Sequence, residues 1–137
     1  MTIFTFTIPG PPVGKGRPRL GRGGHVYTPA KTAAYEKKVR VLALAALGGR
    51  CSLAKGPVGV TIVLQVPWPQ RVPKRLREAY RDEGCFFVGR PDLDNCAKAI
   101  LDAMNGVIYL DDAQVSQLQI QRYRGPIAQV TVTVEGL

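Results

Sequence analysis

Histidine and cysteine are scarce in this chain. His25 stands alone, and Cys51, Cys85 and Cys96 lie far apart without a C-x-x-C pair. That spacing excludes a zinc site built on Cys and His and a disulfide framework, and leaves the thiols structural or incidental. Long apolar runs are missing too: the most apolar stretch, Val39 to Leu47, is short, Ala-rich and interrupted by Arg40, so no membrane span is expected. The opening MTIFTFTIPG alternates instead of placing an apolar block behind positive charges, which argues against a secretion signal and for a cytoplasmic protein. Acidic residues are few, 10 against 19 Lys and Arg, and aromatics make up only 7%. The first shortage leaves a net charge of +9, which draws polyanions by long-range field and counterion release. The second removes the interleaved aromatic platform of a single-stranded RNA binder, so a ribosomal or RNA-associated role loses support.

What is present suits one domain, 1–137, with a real core: 45% of the 137 residues are apolar. Residues 2–8 alternate Phe4, Phe6 and Ile8 against Thr5 and Thr7, which predicts a strand. Residues 9–27 hold four prolines, six glycines and four basic side chains, a loop with little regular structure and longer than a connector needs. Thr28 followed by Pro29 predicts a helix N-cap; Tyr35, Val39, Leu42 and Ala46 then recur at helical spacing, and Gly48–Gly49 stops the pattern. Strict alternation from Val58 to Val66 predicts a second strand ended by Pro67. KRLREAYRDEG reads as a short helix stopped by Gly84. A third helix starts near Asn95, buries Ala97, Ile100, Leu101 and Met104, and ends at Asn105–Gly106. Val107 to Leu110 predicts a short strand, and residues 115–123 and 127–135 two more, joined at Gly125–Pro126. The fold class is α+β, a single domain with a mixed, mainly antiparallel sheet packed against helices.

Charge is segregated along the chain. Residues 1–40 carry eight basic side chains against Glu36 alone, whereas residues 92–112 carry Asp92, Asp94, Asp102, Asp111 and Asp112 against Lys98 alone. Pro91 disfavours a helical Arg90, so the chain should enter Asp92-Leu93-Asp94 extended, with Asp92 and Asp94 on one side. Lys98 then falls one turn beyond Asp94 and Asp102 a further turn, opposite the apolar stripe. A short return from the helix can bring Asp111 or Asp112 back beside its N-terminus.

Carboxylates so gathered repel one another unless a cation lies between them, and hard oxygen ligands suit Mg²⁺ or Mn²⁺. Such an ion activates water and neutralises charge developing on a phosphodiester, with a lysine nearby to assist. Plain structural roles stand beside this reading. Asp94 suits an N-cap, Asp92 the positive end of the helix dipole, Asp102 a pair with Lys98, and Asp111–Asp112 a turn. A non-catalytic, basic nucleic-acid-binding protein with structural aspartates is therefore the alternative. A calcium EF-hand loop from Asp92 fails at Cys96, Ala97 and Ala103. A nucleotide-binding loop at GPPVGKGR fails on its glycine spacing and on Gly16 after the lysine.

RPDLDNCAKAILDAMNGVIYLDDAQV, residues 90–115, resembles the core of the RusA-type Holliday junction resolvases, endonucleases frequently carried by phages and prophages. IPGPPVGKGRPR and HVYTPAKTAAYE are also similar to the longer phage-type members, and residues 48–89 match least. The resemblance implies that Asp92, Asp94 and Asp112 are metal-binding catalytic carboxylates and Lys98 a catalytic lysine. It implies a homodimer that binds a four-way DNA junction and, with Mg²⁺ or Mn²⁺, resolves it by paired symmetric nicks in recombination and repair, in a bacterial or phage-infected cell. Two-fold symmetry of the substrate suits a dimer. Lys15, Arg17, Arg19 and Arg22, spaced by glycines and a proline, then read as contacts to DNA phosphates, with Arg90 beside the aspartates. Arg71, Lys74, Arg75, Arg77 and Arg81 form a weaker basic patch.

Overall fold

A computed structural model describes residues 3–49, 54–79 and 85–137. The chain opens with strand β1 (Ile3–Pro9), whose Phe4, Phe6 and Ile8 are buried while Thr5 and Thr7 face out. β1 runs antiparallel to the last strand, β7 (Gln129–Gly136), with Phe4, Phe6 and Ile8 opposite Val134, Val132 and Val130. β4 (Val58–Val66) lies on the other side of β7, antiparallel to it and parallel to β6 (Val115–Arg124). A two-residue strand, β5 (Cys85–Phe86), pairs with the end of β6, which gives the order β1-β7-β4-β6-β5. β6 and β7, though consecutive, are thus separated by β4. The sheet is mixed and mainly antiparallel, as the alternation of its strands implies.

One face of this sheet is apolar because β1, β4 and β7 place their large apolar residues on the same side. Val60, Ile62 and Leu64 of β4 line up with Val134, Val132 and Val130, and all are buried. Each such side chain contributes about 1.5–3 kcal/mol by leaving water. Helix α1 (Ala30–Leu47) covers this face with Tyr35, Val39, Ala43 and Leu47. Helix α3 (Leu93–Ala103) packs beside it with Cys96, Ala97, Ile100 and Ala103, and α2 (Lys74–Ala79) is a short helix near the end of β4. The Gly84 stop expected for α2 lies outside the described residues, as does Arg81.

Three expectations shift. The α1 N-cap is Pro29, not Thr28, and Gly48 closes the helix in the left-handed conformation at φ 59°. The long loop is not featureless: β2 (Arg19–Leu20) and β3 (Val26–Tyr27) pair as a small ribbon, turned by Gly23 and Gly24 at φ 86° and 80°. Val107 to Leu110 is not a strand. Val107, Ile108 and Tyr109 are instead a buried plug after α3, pinned by Ala54 N–H donating to the Ile108 carbonyl (2.9 Å) and by the Tyr109 hydroxyl donating to the Leu101 carbonyl (2.6 Å). Tertiary burial, not sheet pairing, sets this segment.

Candidate active site

Helix α3 has two faces. Its buried side fixes it to the sheet, and the opposite side presents Asp94, Lys98 and Asp102 at intervals of one turn. Asp94 and Lys98 are exposed and Asp102 is half-buried. Asp92 takes the N-cap position with extended backbone (φ −61°, ψ 145°), yet its carboxylate makes no cap hydrogen bond among the described residues. It pairs instead with Arg90 Nη1 at 3.0 Å. The helix begins at Leu93, two residues before the expected start, so Asp94 sits in its first turn and not on an extended segment. Neither carboxylate is consumed in capping; both stand at the positive end of the helix dipole.

Asp111 and Asp112 part company. Asp111 is the N-cap of a 3₁₀ turn, Asp112–Gln114, and its side chain accepts from Ala113 N–H at 3.2 Å while Gln114 Oε1 accepts from Asp111 N–H. Gln114 also donates to the carbonyls of Ala54 and Gly56, which anchors the turn against the chain before β4. Asp111 is therefore occupied by the backbone. Asp112, half-buried, is turned toward Asp111 and Asp102. Its hydrogen bond with Asp111, then burial and the Asp102 carboxylate, push its pKa up, while the same bond holds Asp111 below the usual carboxylate range. The return from α3 thus brings Asp112 against Asp102, two turns beyond Asp94, which is about 12 Å along a helix axis.

The loop residue Lys15 does not reach for solvent. Its ammonium pairs with Glu36 of α1 and with Asp102 Oδ2 at 3.2 Å, and its N–H donates to the Asn95 carbonyl at 3.0 Å. Burial alone would lower the lysine pKa; the two carboxylates more than offset it and hold it above the ordinary value. The flanking glycines serve this seat: a Cβ on Gly14 would lie 2.8 Å from Pro91 Cβ, and one on Gly16 would lie 2.9 Å from Thr32 Oγ1. Arg17, Arg19 and Arg22 are exposed on or beside the β2–β3 ribbon. Between the loop and α3 opens a cleft of about 490 Å³ lined by Gly14, Lys31, Arg90, Asp92 and Asn95 among others. Lys31, in the first turn of α1, escaped the sequence reading because it sits in helical rather than loop context.

Cys96 lies just inside α3, buried, with its thiol 3.9 Å from the Pro91 carbonyl. Burial pushes it up to about 11, with Arg122 opposing and Asp92 and Asp94 adding to the rise. It is a core residue, not a nucleophile.

Among the described residues, no three of Asp, Glu, His and Cys are gathered closely enough to enclose a metal ion. The donor chemistry still fits a hard cation: every candidate ligand is a carboxylate. Mg²⁺ is commonly held by one or two carboxylates, with water and substrate phosphate oxygens completing its shell. Asp92 with Asp94, and Asp102 with Asp112, each offer that minimum.

A family model described as endodeoxyribonuclease RusA matches residues 9–135 of the chain. The chain is also 32% identical over 140 residues to the uncharacterized protein YqaN of Bacillus subtilis (strain 168), covering 98% of this chain and 96% of that protein.

Proposed function

Because the chain belongs to the RusA endodeoxyribonuclease family, we propose that it is a divalent-metal-dependent, structure-selective endonuclease that, as a homodimer, resolves four-way DNA junctions by paired symmetric nicks. The observation that carries this reading is the outer strip of α3. It presents Asp94, Lys98 and Asp102 at successive turns, Asp92 before them and Asp112 against Asp102, beside a cleft edged by Lys31 and Arg90. The proposed carboxylates for Mg²⁺ or Mn²⁺ are Asp92 and Asp94 at the start of the strip and Asp112, which lies beside Asp102 at its far end. When bound, that ion lowers the pKa of its water and offsets charge growing on the phosphorus oxygens.

The chain's own residues do the rest. Lys31 and Arg90 attract a backbone phosphate into the cleft next to Asp92, and Arg90 already pairs with that carboxylate across 3.0 Å. Lys98, exposed midway along the strip, supplies an ammonium to the transition state or the leaving oxygen. Arg17, Arg19 and Arg22 grip the flanking duplex from the ribbon. Among the described residues no helix is long and apolar enough to cross a membrane, and the reading places the protein with DNA in a bacterial or phage-infected cytoplasm.

The test is incubation of purified chain with end-labelled four-way junction and Mg²⁺. Symmetric nicks are expected, with Asp94→Asn binding the junction as before but leaving it uncut. Tight, salt-sensitive binding with no cutting in either Mg²⁺ or Mn²⁺ would instead favour a non-catalytic DNA-binding protein.

A further inference from the structure

Where β4 and β6 end, a half-open pocket of about 370 Å³ lies outside the α3 strip. Its walls include Pro67, Trp68, Lys74, Arg77, Arg124 and Pro126. One of its cations is held against two aromatic rings. The Arg124 guanidinium carbon lies 5.2 Å from the Trp68 ring centre and 3.6 Å from that of Phe87, with Nη1 donating to the Pro67 carbonyl at 2.9 Å. Arg122, which does not line the cavity, lies 5.8 Å from the same Phe87 ring. Aromatic and guanidinium planes are thus held together at this end of the sheet, a pairing that favours flat, polarisable occupants. Arg77 adds a further feature: its Nε is buried and has no hydrogen-bond partner among the described residues. A buried donor left so is costly, and it leaves the Arg77 guanidinium under-bonded at the cavity wall.

The surroundings narrow the occupant. Lys74, Arg77 and Arg124 face only Glu78 among the lining residues, so an anion is favoured beside the flat group. Segment 87–92 joins Phe87 directly to Asp92, which ties this cavity to the α3 strip. A flat heterocycle with acceptor atoms and an attached phosphate is a nucleotide, and one whose base is unstacked is available at the crossover of a branched DNA.

Resting on the junction reading above, we propose that this cavity receives one unstacked nucleobase from the DNA, against Trp68 and Arg124, with Lys74 and Arg77 on the adjoining phosphate. Trp68 is the only tryptophan in the chain, so its emission reports on the cavity alone. The full-length protein is titrated, in EDTA to prevent cutting, with dye-labelled four-way junction, following anisotropy for binding and tryptophan emission for occupancy. The expected result is quenching of Trp68 that tracks binding, and loss of that quenching when the crossover nucleotides are abasic. Trp68→Ala should weaken junction binding about tenfold, and Trp68→Phe should restore most of it, as expected for a single base stack. Binding with unchanged emission, or equal quenching by the abasic junction, would overturn this inference alone. No binding at all would overturn the junction reading and this inference with it.

Discussion

Lys15 Nζ lies 3.2 Å from Asp102 Oδ2 and also pairs with Glu36, so one loop ammonium joins α1, α3 and the chain that carries the cleft. The same lysine reads in the sequence as a phosphate contact. Only 16% of its side chain is exposed, which leaves little of it for DNA.

Lys15→Met is therefore expected to lower stability by about 1–3 kcal/mol, since it leaves two partly buried carboxylates facing each other. Because the folded-state pKa of Lys15 is raised above its ordinary 10.5, its contribution is complete below that value and is lost only as the pH rises through the higher, folded value. The difference in melting temperature from wild type should then stay level between pH 6 and 9 on a series of thermal scans. Junction affinity should keep its salt slope in this variant. Arg19→Ala and Arg22→Ala should each flatten the slope by about one unit and leave melting unchanged. A flattened slope for Lys15→Met, with unaltered melting, would restore it to the DNA surface.

The contrast between Lys15 and the strands shows where sequence stops being legible. Alternation from Val58 to Val66 is a local property, and so is the α3 stripe; both appear where the pattern puts them. The partners of Lys15 lie on other elements, and no local pattern says which loop residue will fold onto them. Val107 to Tyr109 fails for the same reason: an apolar triplet of two β-branched residues and an aromatic suits a strand or a core plug equally, and burial beneath α3 decides. Aspartates close together in sequence were legible as a cluster, but their sorting was not. Asp111 goes to a capping box and Asp112 to Asp102, because the plug sets where the return from α3 lands.

That sorting makes Asp112 costly to keep. Its pKa is raised first by the bond with Asp111, then by burial and Asp102, so its ionised form is disfavoured in the folded chain. The cost is present above its folded pKa and fades as the pH falls through that value; Asp111, held low, works in the opposite sense and offsets part of it. Asp112→Asn should melt above wild type at pH 7 to 8, with the gap narrowing toward pH 4, while junction cutting is lost. Mg²⁺ should raise the melting temperature of the wild type more than that of the variant, because only the former has the full ligand set. A variant that melts lower, or a wild type indifferent to Mg²⁺, would count against the crowding and the metal role respectively.

Gly14 carries the last prediction. A methyl group there would meet Pro91 Cβ at 2.8 Å and Asn95 Cβ at 3.3 Å, both fixed at the start of α3. Neither neighbour is the far end of a flexible side chain, so the loop must lift away, and with it Lys15, whose N–H donates to the Asn95 carbonyl at 3.0 Å. Gly14→Ala should cost about 1–3 kcal/mol, read as a lower urea midpoint at unchanged slope. Gly56→Ala, where an added methyl meets nothing within 4 Å, serves as the control and should change stability by less than about 0.5 kcal/mol. Since lifting the loop already strains the Lys15–Asp102 pair, Gly14→Ala and Lys15→Met should not add: the double variant should lose less than the two single losses together. Strict additivity, or a Gly14→Ala chain as stable as wild type, would mean that the loop does not press on α3 and that Lys15 is held by its carboxylates alone.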